Sequence, residues 1–489
     1  MSTAPVFRIA AIDLFERPVT LRLPFRFGVV TLTEAPQAFI RLRIETPDGR
    51  SAEGAAAELM APKWFDKDPA LSNGQNFAQL RLALQNAAAA YRADAAPRTA
   101  FGHSAAHHAA LVAAGSRQGL NALVASYGPA LVDRAVIDAV CRLAGQSFAT
   151  MLGANGFGIA ADALTPDLAG FDIDGWLGAL RPVREIAARH TVGMVDPLAE
   201  TDIAAADHLD DGLPESLEGA IAAYGLRWFK LKVGGDMAAD LARLRAIAAV
   251  LDRSGAAYQA SLDGNEQYDD VDGIAALWQA MRGDPALRRL CDSILYIEQP
   301  IRRAAALNRP VSALAAQIPL IVDESDADYG VFPAARSLGY VGISSKTCKG
   351  VYRALLNAAR CSRWNAQAGG SRHFVTGEDL TCQAGLALQQ DLALVAMLGL
   401  THVERNGHHY VDGFGTAPAA EQAAFLAAHP DLYAAATGTG RPRLAIRGGM
   451  IALGSLLDAS GFASAAMPGW ATLAPMPPSD FRPDFKSAP

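Results

Sequence analysis

Residues 228–235 read WFKLKVGG, and four later stretches repeat the plan: SLDGNEQY at 261–268, LYIEQP at 295–300, IVDES at 321–325 and GISSKTCKG at 342–350. Each is a short apolar run that closes on a charged residue. The residues concerned are Lys230 and Lys232, then Asp263, Glu298, Asp323 and Lys346. The step from 232 to 263 is 31 residues, and the following steps, to 298, 323 and 346, are 35, 25 and 23. Each step is about the length of one strand-plus-helix unit. Five such units in a row predict successive strands of a parallel (β/α) barrel, an α/β fold. Active sites of such barrels lie at the carboxyl ends of the strands.

Strand alternation then fixes the facing. Lys230 and Lys232 share one face of the KLK strand, while Phe229, Leu231 and Val233 share the other. The apolar face packs on the outer helices, so the lysines point into the barrel mouth. Asp263 and Asn265 share a face in the same way.

The set KLKVGG, LDGN, IEQP, VDES and a lysine at the next strand end resembles the enolase superfamily, in its muconate-lactonising and mandelate racemase branch. The resemblance spans roughly residues 1–460 and implies a modified TIM barrel with an N-terminal α+β capping domain that the C-terminal segment completes. It implies that Asp263, Glu298 and Asp323 hold a magnesium ion, with Lys232 and Lys346 as the acid/base pair. It also implies removal of the proton alpha to a carboxylate through a metal-stabilised enediolate. The expected activity is a racemase, epimerase or cycloisomerase, with an acid-sugar dehydratase as the alternative. A non-catalytic binding protein on the same fold is the alternative of another class, since fold does not fix function.

These residue types suit that chemistry. Proton removal alpha to a carboxylate creates a dianion, and a hard cation held by three carboxylates neutralises the charge as it develops. All-oxygen ligation favours magnesium over zinc. A lysine acts as base only if its pKa falls from about 10.4 toward neutral, and Lys230, the cation and partial burial are expected to push it there. Lys230 is read as tuning Lys232 or binding the substrate carboxylate. Strands two and six face each other across a ring of eight, so Lys232 and Lys346 would flank the substrate. Only one glycine, Gly350, follows the strand-six lysine, where the family's lysine–lysine members often have two, which leaves Lys349 as an alternative to Lys346. Inward parity with Gly342 and Ser344 favours Lys346.

The rest of the chain fits two domains plus a tail. At 489 residues it exceeds one average domain. The expected division is a cap over 1–130, a barrel over 131–415 with an insertion near 155–188, and a segment over 416–489 that returns to the cap. Its last ~20 residues are Pro-rich and read as mobile. Alternation over Ile40–Ile44 marks a strand, and Pro47-Asp48-Gly49 a hairpin turn. By the resemblance, the loops Arg22–Leu32 and Met60–Lys67 reach the substrate, making Phe25, Arg26, Phe27, Lys63 and Trp64 candidate specificity residues. His103 and His107 have i, i+4 spacing, but without a third ligand they read as a solvated helix face. Val132–Gly153 reads as the helix into the barrel, Thr191–Met194 as its first strand, and Leu217–Tyr224 as the helix before the KLK strand. HFVTGEDL and THVERNGHHY supply strands seven and eight. Asn265, Glu378, Glu404 and His408 are their candidates, with the third strand's, for substrate contact.

Composition narrows the partners. The chain is 51% hydrophobic and 19% charged, with net charge −7, which offers nothing to nucleic acid or an anionic membrane. No leader and no spanning run is evident. The five cysteines are scattered and read as free thiols of a cytoplasmic protein. A small-molecule carboxylate and further copies of the chain, as a homo-oligomer, are the partners expected.

Overall fold

The computed structural model describes residues 4–27, 30–436 and 440–482. The barrel is closed. Its strands are Glu185–Val192, Trp228–Lys232, Gln259–Asp263, Ile294–Glu298, Leu320–Val322, Gly342–Ser345, Phe374–Gly377 and His402–Arg405. Each pairs in parallel with the next, and the eighth closes on the first through His402↔Ala187 and Arg405↔His190. The KLK strand is the second, so Asp263 ends the third, Glu298 the fourth, Asp323 follows the fifth and Lys346 the sixth. The apolar face of the KLK strand is buried as the alternation predicts, with Phe229, Leu231 and Val233 at 1% exposure or less.

The cap is a sheet with three helices. Its strands run Arg8–Phe27, Val30–Glu45 and Ser51–Leu59, joined in antiparallel register through the expected hairpin at Pro47-Asp48-Gly49. The helices are Asn73–Ala93, Ala100–Arg117 and Ala122–Ala144. The third helix lies directly on the others because two glycines allow it. A Cβ at Gly128 would meet the carbonyl of Ala83 at 2.1 Å, and one at Gly54 would meet that of Ala135 at 2.1 Å. The helix begins ten residues before the expected 132, and Gly128 and Pro129 are buried within it.

Three further expectations are corrected. The first barrel strand is Glu185–Val192 rather than Thr191–Met194, so the preceding insertion ends where the strand begins. That segment holds short helices at Ala161–Leu164 and Ile173–Ala179, and its Asp167 binds the buried Arg360. The tail is shared between the two domains. Met450–Ala452 pairs with the first barrel strand, while Ala474–Pro475 adds to the cap sheet beside Phe15 and Glu16. Residues 470–482, read as mobile, therefore include part of a sheet, and 483–489 lie outside the described residues. Lastly, His103 is not on a solvated face. It is buried, its Nε2 lies 2.9 Å from the Phe7 carbonyl, and Asp94 joins it and His107 in one cluster. Among the described residues no helix is long and apolar enough to cross a membrane, and all five cysteines are unpaired.

Candidate active site

The acids of strands three, four and five end side by side in the barrel mouth. Asp263, Glu298 and Asp323 are each at most 1% exposed. A lysine stands at either end of this row. Lys232 Nζ lies 2.6 Å from Asp263 Oδ2, and Lys346 Nζ lies 2.6 Å from Asp323 Oδ2. Lys346 is the lysine that faces the cleft. Lys349 sits in the short helical turn Thr347–Lys349 and is 2.8 Å from Ser344 Oγ and 3.2 Å from Asp326.

Lys230 occupies the centre. Its Nζ is 2.8–2.9 Å from carboxylate oxygens of Asp263, Glu298, Glu378 and Glu404. Arg189 of the first strand pairs with Glu378 from the other side, and Thr191 Oγ donates to Glu404 at 2.6 Å. This floor of alternating charges explains the titration of its members. Burial works to raise the Glu378 carboxyl, but Arg189 and Lys230 hold it below its usual range. Burial pushes Glu298 well up, and the neighbouring Asp263 and Glu378 push it the same way. Burial works to lower Lys230, but Asp263, Glu298 and the other acids keep it well above an ordinary lysine. Lys346 is raised in the same manner, against burial, by Asp323. For Lys230 and Lys346 the touching carboxylates outweigh burial.

The loops after these strands are held by unusual backbone. Asn265, Glu266 and Gln299, just past the third and fourth strands, all have positive φ (39°, 67° and 32°). Such conformations persist where the surroundings over-determine them. Here Asn265 N donates to Asp263 Oδ1 at 2.8 Å, and Gln299 Oε1 accepts from Asp323 N at 2.9 Å. The turns therefore aim the acids. Glu266 is paired with Lys67 of the cap and Arg303 of the barrel, each at 2.7 Å, and Lys67 also reaches Glu324 at 3.2 Å. Arg189 and Glu324 carried no signal of their own in the sequence beyond the adjacency of Glu324 to Asp323, and Lys67 was marked only as the end of a cap loop.

Over the acids lies a cleft with about 370 Å³ of empty space, solvent at its mouth included. The barrel lines it with Lys232, Asn265, Lys346, Asp379, Thr381, Glu404 and Asn406, and with Leu380. The cap lines it with Phe25, Phe27, Leu32, Ala61 and Trp64. Trp64 lies over the Lys346 ammonium, 4.3 Å from ring centroid to Nζ. Two of the five cap candidates do not reach it. Arg26 is exposed on the outer side of its strand, and Lys63 is turned to the Asp68 carbonyl at 2.8 Å. Of the substrate candidates, Asn265 and Glu404 line the cleft, and Glu378 lies beneath with Lys230. His408 stands apart, 3.0 Å from His190 Nδ1, on a separate cavity with Tyr224, Cys382 and Arg443.

Asp263, Glu298 and Asp323 fit a hard divalent cation by donor type: oxygen only, three neighbouring strand ends, full burial.

The fold is shared with known proteins. Residues 212–428 match the family model described as enolase C-terminal domain-like. No curated protein sequence matches the chain. The dipeptide epimerase of Enterococcus faecalis, solved with Mg and the dipeptide L-Leu-L-Tyr, is similar at a TM-score of 0.58 and 15% identity, over 93% of this chain and 99% of that one. The mandelate racemase/muconate lactonizing enzyme of Bordetella bronchiseptica is similar at 0.56 and 18%, over 95% and 98%. The L-Ala-D/L-Glu epimerase of Bacillus subtilis gives 0.53 and 16%, over 91% and 98%. At such identities the likeness of the structures is one of fold. Residues 212–428, which carry the motif set at the strand ends, match the enolase C-terminal domain-like family, and the chain as a whole shares its fold with mandelate racemase/muconate lactonizing proteins.

Proposed function

We propose that this protein is a magnesium-dependent enzyme that removes the proton alpha to a carboxylate, as a racemase, epimerase or cycloisomerase. One observation carries the reading: two buried lysines bracket a row of three buried acids, Lys232 at Asp263 and Lys346 at Asp323, each at 2.6 Å. Asp263, Glu298 and Asp323 would hold the cation, which when bound supplies positive charge where the substrate's carboxylate gains negative charge. The Mg in the Enterococcus epimerase structure supports that choice of ion.

The chain's own residues do the rest. Lys232 ends strand two and Lys346 follows strand six of a ring of eight, so they would approach an intervening carbon from opposite sides. One, as the free amine, takes the α-proton, and the other, as ammonium, returns a proton to the opposite face. Lys230 holds Glu378 and Glu404 beneath, so the floor stays fixed while charge moves above it. Trp64 and the cap phenylalanines cover the site and exclude water.

The test is deuterium wash-in at the α-position, in deuterium oxide with magnesium, over a panel of acids. Lys232→Ala and Lys346→Ala should each lose at least ~10² in turnover, the low end for a positioned acid or base, and at most retain exchange of one enantiomer. If both variants exchange both enantiomers at the wild-type rate, the two-lysine reading is wrong. If Lys349→Ala is dead while Lys346→Ala turns over normally, the acid/base role belongs to Lys349.

A further inference from the structure

Two cap segments meet the cleft, and both present carbon. Strand alternation at 25–27 sends the Phe25 and Phe27 rings inward and Arg26 out to solvent. Leu32 follows on the returning strand, and Ala61 and Trp64 come from the loop after the third cap strand. Leu380 of the barrel continues the wall. All six side chains are more than nine-tenths buried. The two aromatic rings of the first segment are 5.2 Å apart, and Phe25 stacks on Tyr410 at 4.3 Å, so the wall is braced from behind.

The other basic residues of the same segments are committed elsewhere. Arg22 is 2.6 Å from Asp211 and donates to the carbonyls of His409 and Pro214. Lys63 donates to the carbonyls of Asp68 and Leu71. Lys67 is held by Glu266 and Glu324. The only cations lining the cleft, among the described residues, are thus Lys232 and Lys346.

The polar side of the cleft is nearly saturated. Asp379 accepts from Arg405, Cys382 N and Asn406 N. Glu404 is taken by Lys230, Thr191 and Asp379 N. Among the described residues lining the cleft, the buried acceptors left without a partner are the amide oxygens of Asn265 and Asn406. A polyhydroxy acid brings a row of hydroxyls, and each one buried against the carbon wall without a partner weakens binding. A second carboxylate at the far end of a substrate would meet no cation there.

We propose that this site is specific for small monocarboxylates whose α-substituent is apolar or aromatic, and that Phe27 and Trp64 set that choice. The proposal rests on the reading above that a carboxylate binds beside the row of acids. It excludes sugar acids and distal dicarboxylates as preferred substrates.

Calorimetric titration of the full chain in magnesium tests it without requiring turnover. The probes are 2-phenylpropanoate, D-gluconate and glutarate. The aromatic acid should bind at least ~10-fold more tightly than either other, as expected for hydroxyls or charge left unpaired in an apolar pocket. Phe27→Ser and Trp64→Ala should each weaken its binding ~10-fold or more, and Phe27→Leu should stay within about threefold, which separates lost apolar contact from a misfolded cap. Gluconate or glutarate binding as tightly as 2-phenylpropanoate overturns the proposal. So does wild-type affinity in both Phe27→Ser and Trp64→Ala, or the absence of binding by any of the three acids. Should the aromatic acid bind selectively but show no α-deuterium wash-in, the specificity stands and the proton-abstraction reading falls.

Discussion

Lys230→Met is the perturbation that most directly probes the floor of the site. Lys230 is 1% exposed, and its ammonium lies 2.8–2.9 Å from four carboxylates. Methionine keeps the length of the stem but removes the charge. Leaving a buried charge without its partner costs roughly 3–5 kcal/mol. For a chain of 489 residues, an unfolding entropy of about 2.1 cal/mol/K per residue makes that a drop in Tm of roughly 3–5 °C. The sign of the pH dependence follows from the carboxyls. In the wild type, burial tends to raise Glu404 and Glu378, but Lys230, with Arg189 at Glu378, holds both below their usual range. Without Lys230 they rise, so the folded variant takes up protons more readily than the unfolded chain. Its deficit is therefore largest at pH 8 and shrinks as pH falls toward 5. Differential scanning fluorimetry of both proteins at the two pH values measures this. A deficit under ~1 °C, or one equal at pH 8 and pH 5, would refute the idea that the Lys230 ammonium offsets the charge of the acids around it.

Three other outcomes are expected. Asp323→Asn should abolish the thermal stabilisation that magnesium gives the wild type; unchanged metal affinity in a calorimetric titration would remove Asp323 from the ligand set. Asp133, buried under Tyr91 and Ser104, has its carboxyl pushed up to about 7 by burial. Its folded pKa is raised, so the stability it lends is present below pH ~4 and is lost as pH rises toward 7. Asp133→Asn should flatten that window in urea titrations, and a slope equal to wild type would show that another group is responsible. Thiol titration under denaturing, non-reducing conditions should count five, and a count of three or one would mean a disulfide.

The order of the barrel could be read because each strand carries its own evidence, an alternating apolar face and a charged end. Lys232, Asp263, Glu298, Asp323 and Lys346 needed only spacing and parity to be assigned to successive strands. What could not be read is pairing between strands that are distant in the chain. Nothing near Arg189 in sequence points to Glu378, and nothing near Lys67 points to Glu266, since such pairs are made only when the fold is complete. The same limit explains the lysines. Local sequence suggested that Lys230 lies near Lys232, but the four acids that raise it come from four other strands. The buried His103 was unreadable for another reason: an alanine-rich helix offers no apolar stripe against which an inward polar residue stands out.

Arg134, on the helix Ala122–Ala144, bears on how the cap is held to the barrel. It is fully buried and donates to Glu58 at 2.6 Å, to the Ala57 carbonyl at 2.8 Å and to Gln390 of a barrel helix at 3.0 Å. Gln390 in turn donates to the Ala55 carbonyl at 2.8 Å. A guanidinium bolted to both domains at once works against a hinge. Swinging the cap off the barrel would break both Gln390 bonds, to Arg134 and to the Ala55 carbonyl, in a buried interior. The cap body is thereby braced to the barrel as a fixed roof over the cleft.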